Sequence, residues 1–408
     1  MYTVLQQSNK ALGKEMISFA AELIGTPSVS FEESEIAGKV EKKMLQLGYD
    51  KVFTDDFGNV IGIIFGLERE PSLLLNCHMD TVPLGDETWE HAPFKGTVEN
   101  GRMYGLGAAD CKAGLAAQVF AGGILKRSLL PLKGNLVVAA TVAEQNGISL
   151  GVRGALEHTL PELGLSPAYA VLGEPTGLGL YYGHDGWLEA EIDIQGTNPF
   201  HVNDVTRSVF DFIGNEGKAQ GPDRIEESLT LGAPQFEDRS GFLRSNFRMA
   251  HRLRQSENAD DILGRLTREV ELVAGEGGGV AVKVGLRTEN RRLYNGRTCK
   301  SDHLVEAWST NPFHPLVEQS RQVLKAAGCQ AEPGKWCLNR LMMGTAGNVL
   351  STEFKIPTIG YGPGEEELAH TTNEYVELEK VDEAAYGTAA IVHSLIGVPI
   401  FGWSSDEI

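Results

Sequence analysis

Leu73-Leu74-Leu75-Asn76-Cys77-His78-Met79-Asp80 is the stretch on which the reading of this chain turns. Its mostly apolar run reads as a strand buried on both faces, and it opens into an imidazole and, two residues on, a carboxylate. Three other segments repeat the arrangement. Leu136 to Val142 opens into Ala143-Glu144-Gln145, Ala170-Val171-Leu172-Gly173 ends at Glu174, and Ile356-Pro357-Thr358-Ile359-Gly360 runs on to His370. In an open α/β sheet, ligands bind at the carboxyl ends of the strands. The four segments therefore predict a single site of oxygen and nitrogen donors, suited to a hard or borderline metal ion.

The rest of the chain bounds what such a site can serve. With 408 residues and 42% hydrophobic content, two domains are the natural expectation. A formal net charge of −19 argues against a nucleic-acid partner, whose phosphates need clustered Lys and Arg. The acidity is spread out, as a solvated surface requires. The five cysteines (Cys77, Cys111, Cys299, Cys329 and Cys337) are odd in number, widely spaced and without a CxxC pair. That argues against a disulfide framework and for a reducing compartment. The first residues lack a basic region followed by an apolar core, and no stretch has the length of a membrane span. The expectation is a cytoplasmic protein with no membrane association.

Along the chain, Lys14 to Ile24 has helical apolar spacing stopped by Gly25 and Pro27, and a second helix is expected near Glu35–Leu47. Strands follow at Asn59–Phe65 and Ser72–Cys77, then a helix after Asp110. This is α/β grammar with a mostly parallel sheet covered by helices. The style changes near Gly183. Leu188 to Gln195 alternates apolar and polar residues, which predicts a strand with one wet face. A helix at about Asp204–Ile213, extended stretches near Leu229–Phe236 and Asn246–Leu253, a helix at Asp260–Val273, the glycine run 276–279 and the strand Val280–Leu286 complete a β-α-β-β-α-β order. That is the order of a ferredoxin-like unit. The expected organisation is a catalytic domain of residues 1–182 and 301–408, with an inserted α+β lid of residues 183–300.

Taken singly, each site residue has an ordinary explanation. A histidine after a strand is usually a hydrogen-bonded core residue, Asp80 could cap a turn, and Asp110 would serve as a helix N-cap. Together, at the mouths of successive strands, they form a constellation.

That constellation closely resembles one family. His78-Met79-Asp80-Thr81-Val82-Pro83 and Tyr104-Gly105-Leu106-Gly107-Ala108-Ala109-Asp110-Cys111-Lys112-Ala113-Gly114 are similar to the metal-site signatures of the acetylornithine deacetylase, succinyl-diaminopimelate desuccinylase and glutamate carboxypeptidase family. Ala143-Glu144-Gln145, Leu172-Gly173-Glu174-Pro175-Thr176 and Ala369-His370-Thr371-Thr372-Asn373-Glu374-Tyr375 continue the likeness in the family's order. The resemblance implies a zinc-dependent amidohydrolase or metallopeptidase with two zinc ions, for which cobalt or manganese can substitute. Asp110 would bridge the ions, His78 and Glu174 would complete one site, and Gln145 and His370 the other. Asp80 would fix the His78 tautomer, and Glu144 would be the general base acting on a metal-activated water. It further implies a homodimer through the lid, with a lid histidine reaching the partner's site. His201 is the candidate, and the strand Leu188–Gln195 was expected to supply a pairing edge or packing face.

Three departures mark this chain. Gln145 stands where the family has an acidic ligand, so the second ion is expected to be weakly held. Leu106 and Asp185 replace two customary arginines. The Asn-x-x-Pro ahead of a lid strand is not recognisable before Arg248, which leaves Arg252 and Arg287 as candidates for a substrate carboxylate. The stretch Gly344 to Asn348, with Thr345 and Gly347, is expected to help set specificity. Cys111 reads as a small buried thiol rather than a nucleophile. The leading expectation is hydrolysis of an N-acyl amino acid, dipeptide or similar small amide. The rivals are hydrolysis of a non-peptide C–N bond (a ureido or amine compound) and a metal-poor, non-catalytic binding homologue.

Overall fold

The computed structural model describes residues 1–146, 148–219, 229–239, 241–275, 279–337 and 342–399, so residues 276–278 of the glycine run lie outside the described residues. Ser72–His78 lies inside an eight-stranded sheet. Across the sheet the order is Lys51–Thr54, Val60–Ile64, Leu136–Thr141, Ser72–His78, Pro167–Leu172, Thr358–Gly360, Leu180–Tyr181, Pro333–Gly334. Leu136–Thr141, Ser72–His78, Pro167–Leu172 and Thr358–Gly360 run parallel, so their carboxyl ends open on one rim. Val60–Ile64 and Leu180–Tyr181 run antiparallel to their inner neighbours.

Every residue of Ser72–His78 and Leu136–Thr141 is buried, as the continuous apolar runs require. Period-two alternation divides them between two cores. Leu73, Leu75 and Cys77 join the helices Tyr2–Ile24, Ala113–Ser128 and Leu378–Ile396. Leu74, Val137 and Ala139 face Val152, Leu156, Val349 and Leu350 on the other side. The first helix begins twelve residues before the periodic stretch from Lys14, because buried Leu5 extends the same packed face.

A second sheet of six strands is antiparallel throughout. Gly186–Gly196 lies between Phe242–Leu253 and Val280–Leu286, Leu229–Leu231 and Gln235–Arg239 pair on Phe242–Leu253, and Leu304–Val305 pairs on Gly186–Gly196. Helices Pro199–Ala219 and Ala259–Ala274 pack on it. Leu188, Ala190, Ile192 and Ile194 fill this core, in keeping with the alternation. Two expectations need correction. Gly186–Gly196 is flanked on both sides and supplies no free pairing edge, because its ladder groups are already taken. Its face is also not wet throughout: Glu189 is buried, held by Arg287 Nη1 at 2.6 Å.

Gly114, at the start of Ala113–Ser128, lies against the backbone of Gly173, the residue just before Glu174. A Cβ at 114 would collide with the Gly173 carbonyl oxygen. Gly114→Ala should gain about 1 kcal/mol of helix propensity and lose about 3 kcal/mol or more to overpacking. The expected net effect is a lower denaturant midpoint; an unchanged or raised midpoint would show that the two segments are not pinned together.

Candidate metal centre and active-site cleft

The rim of the parallel sheet gathers the site. Gly105 and Gly107 have φ of 154° and 82°, and they turn the chain so that Ala109 and Asp110 present their N–H groups inward. Glu374 receives them: its carboxylate accepts from Gly107 N (2.8 Å), Ala109 N (2.7 Å) and Asp110 N (2.9 Å). Burial pushes the Glu374 carboxyl up to about 7, while these three N–H groups favour its charged form. Asp110 is thereby fixed, and the Asp110–Cys111 peptide is cis.

The Asp110 carboxylate lies between two imidazoles. Its Oδ1 is 3.3 Å from His78 Nε2 and its Oδ2 is 2.9 Å from His370 Nε2. Glu174 Oε2 is 3.8 Å from His78 Nε2. Ligand atoms of His78, Asp110, Cys111 and Glu174 all lie within 4.8 Å of one another, and all four residues are buried. Gln145 joins through its amide, whose Nε2 donates to Asp110 Oδ2 at 2.7 Å.

Asp80 fixes the His78 tautomer through its backbone carbonyl rather than through its carboxylate. The His78 Nδ1–H is accepted by the Asp80 backbone carbonyl at 2.8 Å, with the carboxylate farther off at 3.5 Å. A carbonyl can only accept, so Nδ1 carries the proton and Nε2 keeps a lone pair for a metal. The Asp80 carboxylate instead accepts from Glu144 N (3.1 Å), Gln145 N (2.9 Å) and Ser30 Oγ (2.6 Å). It positions the turn that carries the base.

Glu144 is buried, with Oε1 receiving the Ser149 hydroxyl at 2.7 Å. Its Oε2 is buried and has no hydrogen-bond partner among the described residues. Burial pushes this carboxyl up to about 7. Three carboxylates, Asp110, Glu174 and Glu144, thus share a buried space with the His78 imidazole, beside the half-buried His370. Such a set needs compensating positive charge, and its oxygen and nitrogen donors fit bound cations.

A cavity of about 560 Å³ opens beside it, lined among others by Gln145, Trp187, Arg287, Arg291, His303 and His370. Arg287 faces the cleft, and Glu189 and Glu289 hold its guanidinium. Arg252 does not line this cavity. It bonds Asp185 Oδ2 (3.3 Å) and the Cys337 carbonyl (3.2 Å), so Asp185 anchors an arginine here. Thr345 and Gly347 are not among the residues that line this cavity: Thr345 N donates to His184 Nε2 at 3.0 Å, and Gly347 lies against the Trp308 ring. His201 is exposed in the first turn of Pro199–Ala219 and does not line the cavity of its own chain.

Sequence reasoning passed over Glu374, Ser149 and Glu33. Glu33 is buried and accepts from Ala143 N at 2.9 Å, setting the turn before Glu144. The glycine-bounded turn before Asp110 was the available signal for Glu374, because exposed amides in such a turn require an acceptor.

A buried carboxylate–imidazole cluster at the open end of a parallel sheet, with an unpartnered glutamate oxygen beside it, defines a metal-dependent hydrolase of amide bonds. The profile of Peptidase family M20/M25/M40 matches residues 74–394, and the chain belongs to that family. It is 26% identical over 391 residues to YgeY of Escherichia coli K12, covering 91% of this chain and 92% of that protein. It is 31% identical over 189 residues to the succinyl-diaminopimelate desuccinylase of Gluconacetobacter diazotrophicus, covering 44% and 49%. Among solved structures it is similar to YxeP of Bacillus subtilis, described as a dinuclear metal-binding peptidase, with a TM-score of 0.68, 15% identity and coverage of 95% and 99%.

His184 lends the assembly a pH dependence. Burial lowers its imidazole from 6.5 to about 4. Its Nδ1–H donates to the Asp185 carbonyl at 2.7 Å and its Nε2 accepts from Thr345 N, so the neutral ring is already satisfied. Between pH 6.5 and 4 the unfolded chain takes up this proton and the folded chain does not. The associated stability is therefore full above the unfolded pKa and falls with pH, by on the order of 3 kcal/mol at the lower end. The melting temperature of wild type should drop more steeply over this window than that of His184→Gln; parallel slopes would remove His184 from the account.

Proposed function

We propose that this protein hydrolyses the amide bond of an N-acyl amino acid or dipeptide, using two ions of the zinc class and Glu144 as the general base. The observation that carries the reading is the buried Glu144 Oε2, unpartnered among the described residues, beside the His78–Asp110–Glu174 cluster. Asp110 would bridge, His78 and Glu174 would complete one ion's site, and His370 and Gln145 the other's. Ions held there would polarise the scissile carbonyl and lower the pKa of water. Ser149 holds Glu144 Oε1, which leaves Oε2 to take a proton from the attacking water and deliver it to the leaving nitrogen. A non-catalytic role would leave this arrangement without a use.

The second unit, residues 183–300, serves in this reading as lid and dimer contact. Support comes from Arg287 on the cleft wall and from His201, which is exposed and does not line its own chain's cleft. The compartment proposed is the cytoplasm, in line with five free cysteines and the dispersed acidic charge. Among the described residues no helix is long and apolar enough to cross a membrane.

Purified protein should cleave members of a panel of acetylated amino acids and dipeptides, with zinc, cobalt or manganese added back after chelation. Cleavage confined to carbamoyl compounds would overturn the substrate class and keep the mechanism. Glu144→Gln should lose roughly 10²- to 10⁴-fold in kcat while keeping its bound metal. A smaller loss would remove the base from this position.

Gln145 brings no charge, and its amide already donates to Asp110 Oδ2. Gln145→Glu should therefore hold a second ion through dialysis that wild type releases. Equal retention of the second ion by both proteins would show that the amide is an adequate ligand.

A further inference from the structure

Cys111 directly follows the bridging Asp110, and its neighbour in space is Cys77, which directly precedes His78. The two sulfurs approach to 2.7 Å, both side chains are fully buried, and both cysteines are free. Cys77 points into the helix-covered core with Leu73 and Leu75, beneath the ligand set. The Cys111 sulfur lies within 4.8 Å of the donor atoms of His78, Asp110 and Glu174. Its other polar contact is with the His78 carbonyl, at 3.6 Å. The sulfur thus stands between the donor atoms of the cluster on one side and the Cys77 sulfur, at the edge of the helix-covered core, on the other.

We propose that Cys111 is a thiolate ligand of the ion held by His78, Asp110 and Glu174, with the Cys77 S–H donating to the Cys111 sulfur. This rests on the metal-dependent reading of the site given above. A bound cation deprotonates a coordinating thiol outright, and the proton leaves to solvent as the ion enters. The ligand set then balances in charge. Gln145 withholds one negative charge from the His370 side, and Cys111 supplies one on the His78 side. The two positions become unequal: a tight one of nitrogen, oxygen and sulfur donors, and a weaker one of His370, the Gln145 amide and the shared Asp110. Thiolate softness biases the tight position toward zinc and cobalt and away from manganese and magnesium, which prefer oxygen donors. Cys77 acts as outer partners of metal ligands do, orienting the sulfur and moderating its charge.

X-ray absorption on the full-length protein, reduced with a phosphine and loaded with one equivalent of zinc, tests this directly. The expected spectrum contains one zinc–sulfur path at about 2.3 Å. One equivalent of cobalt should likewise give a near-ultraviolet sulfur-to-cobalt charge-transfer band, absent in Cys111→Ser and shifted in Cys77→Ala. Cys77→Ala should weaken zinc binding roughly tenfold, as loss of an outer partner does, and Cys111→Ser by more than that. A bound ion with only nitrogen and oxygen scatterers in wild type would overturn the proposal and leave the hydrolase reading standing. Failure of wild type to bind any ion after reconstitution would overturn both. The wild-type spectra decide the matter even if Cys111→Ser does not fold.

Discussion

The Glu374 carboxylate, closed over by three backbone N–H groups of the turn that carries Asp110, is the interaction on which the site depends. Asp110 must offer one oxygen to each of two imidazoles, and a side chain can do that only if its backbone is immobile. The fixation comes from 267 residues away in sequence for the Gly107 bond. Without the acceptor, three buried amides would each lose a partner, at about 1–3 kcal/mol apiece. The close approach of Gly114 to Gly173 then sets the distance between the Asp110 turn and Glu174. A carboxylate with no part in the chemistry thus holds the geometry of the residues that have one.

What the chain disclosed as a sequence was local. A buried strand cannot hide its length or its apolar run, so the four strand ends, and with them His78, Glu144, Glu174 and His370, could be read directly. The alternation of Leu188 to Gln195 likewise announced a one-sided strand. What stayed hidden depended on distant partners. Nothing near Glu189 shows that Arg287 will draw it into a buried pair, and nothing near Gly186 shows that strands will lie on both sides. Asp80 illustrates a subtler limit: its place beside His78 was legible, but whether the carbonyl or the carboxylate faces the ring depends on the amides of Glu144 and Gln145.

The cleft wall carries its own constraint. Arg287 faces the cavity while Glu189 and Glu289 hold its guanidinium, and Glu289 also holds Arg291. A substrate anion arriving there meets cations that are already compensated, and binding must be worth more than the ion pairs it disturbs. Such a wall rewards a ligand that fits the whole hydrogen-bonding lattice and gives little to negative charge alone.

The helix Leu378–Ile396 packs against Tyr2–Ile24 and Ala113–Ser128, and it follows closely on His370 and Glu374. Seen from the ribosome, this order has a cost. The second sheet draws its strands from one continuous stretch of chain and has its partners to hand as soon as that stretch emerges. The parallel sheet does not: its first helices, the Asp110 turn and the strand bearing His78 are all made long before the segment that covers and anchors them. Until residues 370–396 have been synthesised, His78, Asp110, Gln145 and Glu174 stand on an unfinished frame without His370 and Glu374, and an apolar helix face is exposed. Completion of the candidate centre therefore waits on residues 370–396, and the segment that closes the apolar core is the same one that completes the site.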